Sequence, residues 1–349
     1  MNDIHQKHYR VAQWATGNIG RRSLQAVIEH PQMDLVGLFV YSDAKVGQDA
    51  GELCDRDTTG VIATRNIDDI LAAKPDCVLY MPNQTEMDVV CRLLESGINI
   101  VSTRSEFHHP DSLEPSVRER IEAACAKGGT SIYSTGSSPG FATEVLPFAF
   151  AFMERRLDCI TKEEFADMSS RNSPEMLFDG IGFGRDPATR SQTVQNPQSL
   201  SPAGSMRMTM EALSLPLDDF TGSVEYAVAR HPVEIAAGKI EAGTVAAVRT
   251  ELTGMRNGKP LYRRRTCYYV TTDIDPAWEL RETGWHYLIE GDTPLDIYIS
   301  FPVPEADYAA FSPGLTAHPP VNAVPYVCEA PPGMRTTADL PVILANLGP

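Results

Sequence analysis

The sequence of 349 residues has no apolar run near the roughly 20 residues a membrane-spanning helix needs, and its longest, Leu146–Met153, is interrupted by Pro147. A helix crossing a bilayer is therefore not expected. Cysteine is sparse and badly placed for cross-linking: the seven are odd in number, widely spread and never in a C-x-x-C pair. That pattern argues against a disulfide framework or a zinc site and fits reduced, buried thiols with no metal. Basic residues are the minority, 30 Lys plus Arg against 46 Asp plus Glu for a net charge of −16, so nucleic acid and anionic membrane surfaces are repelled at long range. H-E-x-x-H and G-K-[ST] are both missing, which removes the zinc-protease and phosphate-loop readings. Met1–Arg10 is polar and lacks the apolar segment of a secretory signal, so a cytoplasmic location is expected.

What is present points to a globular α/β chain. A hydrophobic content of 42% is enough for a sizeable core, and the length suits two domains. Tyr9–Ala15 is a compact apolar run that stops at Thr16-Gly17, as a buried strand entering a tight turn does. From Asn18 to Glu29, Leu24, Val27 and Ile28 recur at helical spacing, and Met33–Tyr41 is again a continuous apolar run. Strand, helix and strand repeat at Asp76–Met81, Thr85–Glu95 and Ile98–Ser102, followed by a helix at Ser112–Lys127 and a short strand at Thr130–Tyr133. Such alternation predicts a parallel sheet covered by helices, a Rossmann architecture.

Beyond Gly140 the texture changes. Phe141, Val145, Phe148 and Phe152 fall on one face of a predicted helix, and strand-like runs then dominate at Cys159–Met168, Ser223–Ile235, Thr244–Leu252, Tyr262–Thr272 and Leu295–Phe301. Consecutive strands without helices between them predict a mixed or antiparallel sheet. The expected organisation is a Rossmann domain over residues 1–140, with 317–349 packing back on it, and an α+β second domain over 141–316. Ser169–Phe220 reads as a helical lid or substrate loop, and Arg263-Arg264-Arg265 as a solvated sheet face.

Ala15-Thr16-Gly17-Asn18-Ile19-Gly20 has G-x-G-x-x-G spacing with alanine first, between the first strand and the first helix. A pyrophosphate needs bare backbone at such a turn and the free N–H groups of the helix start. Thr16, Gly17, Asn18, Ile19 and Gly20 are thus expected to hold a dinucleotide. Ser42 and Lys45, at the end of the second strand, suit a 2′-phosphate and favour NADP, while Asp43 leaves NAD possible. Met81, Pro82 and Thr103 lie where further strands end, with Pro82-Asn83-Gln84 running along the cofactor. In the loop 103–110, Glu106 is the expected acid or base, and His108 and His109 read as surface residues or first-turn neighbours of Pro110. Arg171 and Arg185 are candidates to anchor a substrate carboxylate.

Five stretches, ATGNIGRRSLQAVIEHP, YSDAKVGQDAGEL, INIVSTRSEFHHP, FADMSSRNSPEMLFDGIGFG and HPPVNAVPYVCEAPPG, together resemble the 2,4-diaminopentanoate dehydrogenases and their native amine dehydrogenase relatives, a dihydrodipicolinate-reductase-like group. The resemblance implies an NAD(P)-dependent oxidoreductase that converts a small primary amine to a ketone or aldehyde plus ammonia, or runs the reductive amination. It implies Glu106 as the catalytic glutamate, Phe141 and Thr143 as lining for the substrate cavity, and Asn322 in a V-N-A-[IV]-P turn near the nicotinamide. A homodimer through the second domain is also implied. The H-H-x-x-K-x-D-x-P-S-G-T signature of true dihydrodipicolinate reductases is missing. A carbonyl or imine reductase and a non-catalytic NADP sensor are the competing readings.

Overall fold

The structure, a computed structural model, describes residues 7–348. The chain divides into two compact units, one of residues up to Val145 together with those from Ala310 onward, the other Leu146–Ala309.

In the first unit, strands β1 (Tyr9–Trp14), β2 (Met33–Phe39), β3 (Ala63–Thr64), β4 (Cys77–Tyr80), β5 (Asn99–Ser102) and β6 (Ser131–Ser134) alternate with helices α1 (Asn18–Ile28), α2 (Ile67–Ala73), α3 (Met87–Glu95) and α4 (Pro115–Gly128). All their pairings are parallel, in the order β6-β5-β4-β1-β2-β3, and a strand at Gly333–Arg335 adds to the β6 edge. The chain reverses its direction of travel across the sheet between β1 and β4, where this doubly wound order opens a crevice at the carboxyl ends of the strands. The continuous apolar runs are explained by burial on both faces: β4 is wholly buried, and Val78 and Tyr80 pack in one cluster while Cys77 and Leu79 pack in another.

One prediction fails here for a physical reason. Asn322 lies in the helix Glu305–Cys328, which contains Pro313, Pro319, Pro320 and Pro325, and not in a turn. Val321, Ala323, Val324 and Val327 are buried in the β1–β4 cluster, and burying such side chains at about 1.5–3 kcal/mol each outweighs the local signal of Asn and Pro. The predicted helix through Phe141 and Phe152 is also shorter. Ser138, Pro139 and Gly140 are non-helical, with Gly140 at φ +120°, residues up to Val145 form wide irregular turns, and only α5 (Leu146–Ala151) is regular.

The second unit adds β7 (Leu157–Asp167), helix α6 (Ser201–Ala212), β8 (Asp219–Ala229), the ribbon β9 (Val233–Ile235) and β10 (Gly238–Ile240), then β11 (Val245–Arg256), β12 (Lys259–Tyr269), β13 (Ile274–Asp275), β14 (Gly284–Gly291) and β15 (Leu295–Ser300). Its main sheet runs β13-β8-β11-β12-β7-β14-β15 and is mixed, since β12 and β7 are parallel and the other pairs antiparallel. The single strand expected over Ser223–Ile235 is two, with the chain turning at Arg230-His231-Pro232. Within Ser169–Phe220, α6 is the one long helix among the described residues.

Alternation along β12 separates the three arginines, but none lies on a freely solvated face. Arg263 meets Glu290 at 3.3 Å, and Arg265 sits between Glu163 at 2.6 Å and Glu251 at 2.7 Å. Arg264 is paired in register with Lys162, whose side chain is fully buried and meets Glu164 at 2.6 Å. Burial, aided by Arg264, drives the Lys162 amine down to about 8 even though Glu164 acts the other way.

Candidate active site

The crevice at the β1/β4 switch point holds a cavity of about 420 Å³. Its walls come from three strand ends: Ala15, Thr16 and Gly17 after β1, Tyr41, Ser42 and Lys45 after β2, and Met81, Pro82, Asn83, Gln84 and Glu86 after β4.

The turn after β1 is built by close backbone approach. Ala15 adopts φ +73°, a left-handed conformation that costs an L-residue about 1–2 kcal/mol. A Cβ on Gly20 would lie 2.2 Å from the Ala15 carbonyl oxygen, so α1 can dock against this turn only with glycine there. Gly17 differs: at φ −70° it is in ordinary extended backbone, and nothing lies within 4 Å of where its Cβ would be. Its bareness serves the space of the cavity, not the packing. Gly17 is also the N-cap of α1 and makes no side-chain cap, so the helix start carries its positive dipole end toward that space uncapped.

At the end of β2, Lys45 Nζ donates to the Thr16 carbonyl and to Thr16 Oγ1, both at 3.0 Å, which ties the β2 wall to the glycine turn. Asp43, the residue that would favour a free ribose, is paired with Arg65 and is not on the cavity wall. Tyr41 is the less expected occupant. Trp14 Nε1 donates to its oxygen at 3.0 Å, and its O–H donates to Glu86 at 2.6 Å. Burial and the Glu86 carboxylate push the Tyr41 phenol above its usual range.

Glu106 is half-buried in a short turn, Ser105–Phe107. Its carboxylate accepts from Thr85 Oγ1 and from Arg104 Nε, the latter at 3.2 Å, while Arg104 also donates to the Asn83 carbonyl at 2.7 Å. Thr85 lies between Gln84 and Glu86 of the cavity wall, so its bond ties Glu106 to that segment, although Glu106 itself does not line the cavity. His108 and His109 are buried, contrary to their sequence reading. His108 Nδ1 lies 2.7 Å from Glu144 Oε1, with both side chains 1% exposed, and His109 Nδ1 lies 2.6 Å from Ser112 Oγ. Glu144 also accepts from Thr337, which meets Tyr133 at 3.0 Å. This chain of bonds fixes the turn after Glu106 to the segment that carries Phe141 and Thr143.

The remaining candidates are scattered. Asn18, Ile19, Gly20, Thr103 and Asn322 are not on the cavity wall. Phe141 is 39% exposed, and Thr143 is buried with its hydroxyl accepting from the Gly140 N–H at 3.0 Å. Arg185 is spent on Asp179 at 2.6 Å, and Arg171 lies over the Tyr308 ring. Gly136–Gly140 has the G-x-S-x-G spacing of a hydrolase nucleophile elbow, but the Ser138 hydroxyl is buried with no hydrogen-bond partner among the described residues, so no base serves it. The sequence reading misses Tyr41 and Glu86 as wall residues. The signal for Tyr41 was its place beside Ser42.

Residues 146–349 match the 2,4-diaminopentanoate dehydrogenase C-terminal domain, and residues 14–121 match the N-terminus of dihydrodipicolinate reductase. An amine dehydrogenase of Streptomyces virginiae is 28% identical, covering 94% of this chain and 95% of its own. A 2,4-diaminopentanoate dehydrogenase of Acetoanaerobium sticklandii is 24% identical over 75% of this chain and 71% of its own. The structure of an amine dehydrogenase from Mycobacterium smegmatis shares the fold with a TM-score of 0.74 at 19% identity, covering 98% of this chain and 99% of that one.

Proposed function

The chain belongs to the 2,4-diaminopentanoate dehydrogenase family, and from that premise we propose that it is an NADP-dependent amine dehydrogenase converting a small primary amine to a ketone or aldehyde plus ammonia, and the reverse. It is an oxidoreductase acting on CH–NH2 donors, built on a dinucleotide-binding fold. The observation that carries the cofactor assignment is the uncapped start of α1 opening on the cavity beside Gly17, where nothing in the protein fills the space of a side chain.

A nicotinamide dinucleotide fits the residues present, and when bound it supplies the acceptor for the substrate's hydride. Thr16 and Gly17 on the cavity wall, with Asn18 and Ile19 following them into the start of α1, would hold its pyrophosphate, and Gly20 lets α1 approach the turn. Ser42 and Lys45 take the 2′-phosphate, a choice favoured by the commitment of Asp43 to Arg65. Met81, Pro82, Thr103 and Asn322 are assigned to the nicotinamide side, and Phe141 and Thr143 to the substrate. Glu106 is the acid/base: its carboxylate offsets the positive charge that develops on the substrate nitrogen and then takes a proton from the water that adds to the carbon. Arg104 and Thr85 fix its orientation for both tasks. Among the described residues no helix is long and apolar enough to cross a membrane. A cytoplasmic homodimer is proposed on the family premise.

The test is NADP reduction followed in the near ultraviolet with a panel of small primary amines, and NADPH oxidation with ketones with and without ammonia. Turnover on amines and strict ammonia dependence are expected. Ketone reduction that proceeds equally well without ammonia would instead establish a carbonyl reductase.

The two cavity glycines separate fold from binding. Gly20→Ala is expected to cost about 1–3 kcal/mol of stability, because its methyl meets backbone at 2.2 Å. Gly17→Ala is expected to leave stability within about 1 kcal/mol and weaken NADP binding by more than about 10-fold. Denaturant unfolding and calorimetric titration of both variants check this, and unaltered affinity in Gly17→Ala counts against the pyrophosphate seat.

A further inference from the structure

One wall of the cavity carries side chains that phosphate binding does not use. Trp14 stacks on Phe39 with centroids 3.8 Å apart and planes at 9°, and Phe39 meets the edge of Tyr41 at 5.3 Å. Tyr41 is held at its hydroxyl, which accepts from Trp14 Nε1 and donates to Glu86, yet it remains 42% exposed. Glu86 is fixed in turn: it opens α3, and its backbone N–H donates to the Tyr80 hydroxyl at 3.0 Å. A bond thus joins the β2 end to the β4 end across 45 residues of sequence.

The presence of Glu86 needs explaining. A carboxylate on the wall of a cavity that takes a polyanion lowers affinity unless part of the ligand donates a hydrogen bond to it. Resting on the dinucleotide reading above, covalent geometry locates that part. If Ser42 and Lys45 hold the 2′-phosphate, the base sits on the neighbouring ribose carbon and must lie beside Tyr41, which precedes Ser42 in the chain. Adenine offers there a π-face and an exocyclic amine that can only donate.

We propose that Tyr41 and Glu86 form the adenine subsite, the Tyr41 ring packing on the base and the Glu86 carboxylate accepting a hydrogen bond from its 6-amino group. The site therefore selects adenine over a purine with a carbonyl at that position, whose oxygen the carboxylate repels.

The test compares the full chain's affinity for NADP and for nicotinamide hypoxanthine dinucleotide phosphate, in which that amine is replaced by oxygen. Wild type is expected to bind the adenine form about 10-fold more tightly. Glu86→Gln is expected to reduce this to about 2-fold or less, because an amide can also donate to the carbonyl. Tyr41→Ala is expected to weaken both forms by about 10-fold, with melting curves confirming that each variant is folded. Equal wild-type affinities, or an unchanged ratio in Glu86→Gln, overturn the subsite while leaving dinucleotide binding intact. Failure of wild type to bind either form overturns the dinucleotide reading, and the subsite with it.

Discussion

Glu106→Gln is expected to lower amine turnover by about 10²–10⁴-fold while leaving the Kd for NADP within about 2-fold. The substitution keeps the shape of the side chain and its capacity to meet Thr85 Oγ1 and Arg104, the two donors that fix the carboxylate. What it removes is the negative charge beside the substrate nitrogen and the site that receives the proton from water. Because Glu106 does not line the cavity, cofactor affinity has no reason to change. Single-turnover measurements with saturating NADP distinguish a loss in the chemical step from a loss in binding. Turnover like wild type would remove Glu106 from the mechanism and leave the family membership untouched.

The second large effect is on stability. Glu164→Gln is expected to cost about 1–3 kcal/mol at pH 7, because it strips the carboxylate at 2.6 Å from a lysine with no exposed side-chain surface, which responds by losing its proton. The sign of its pH dependence follows from Lys162. In the folded wild type burial pushes that amine down to about 8, below the 10.5 of an exposed lysine, so between those values the unfolded chain binds more protons and stability rises with pH. Without Glu164 the folded value falls further, so the part of the deficit that comes from the lysine charge is largest on the acid side of neutrality. It is lost as pH rises through 8, where the wild-type amine also becomes neutral and no longer needs a partner. Urea unfolding of variant and wild type at about pH 6 and pH 9 reads the effect. A deficit that stays constant with pH would show that Lys162 is not its source.

The parallel unit is legible in the sequence because each of its main strands is a continuous apolar run closed by a turn signal, as Tyr9–Trp14 is by Thr16-Gly17. The glycine turn is legible for the same reason, since its constraint is local. Glu86 is not, because its partner Tyr41 lies 45 residues earlier and no spacing announces the bond. His108 misleads similarly: beside His109 and Pro110 it reads as loop, while its burial depends on Glu144, 36 residues on. In Asn322 the local signal is present and wrong, overruled by the apolar neighbours that bury the helix around it. Strand β14 shows a reading error of another kind. Gly284 and Gly291 bracket a buried Trp-His-Tyr-Leu-Ile core that sequence rules allow as a strand, yet its His and Glu break the apolar run.

The strand at Gly333–Arg335 hydrogen-bonds β6 in register, Gly333 beside Ser131, so two segments about 200 positions apart share one ladder. During synthesis the ribosome releases β1 to β6 long before that last strand emerges, and the growing polypeptide must carry an open sheet margin meanwhile. Sealing that margin waits on a contact of long sequence separation, the kind that forms late in folding.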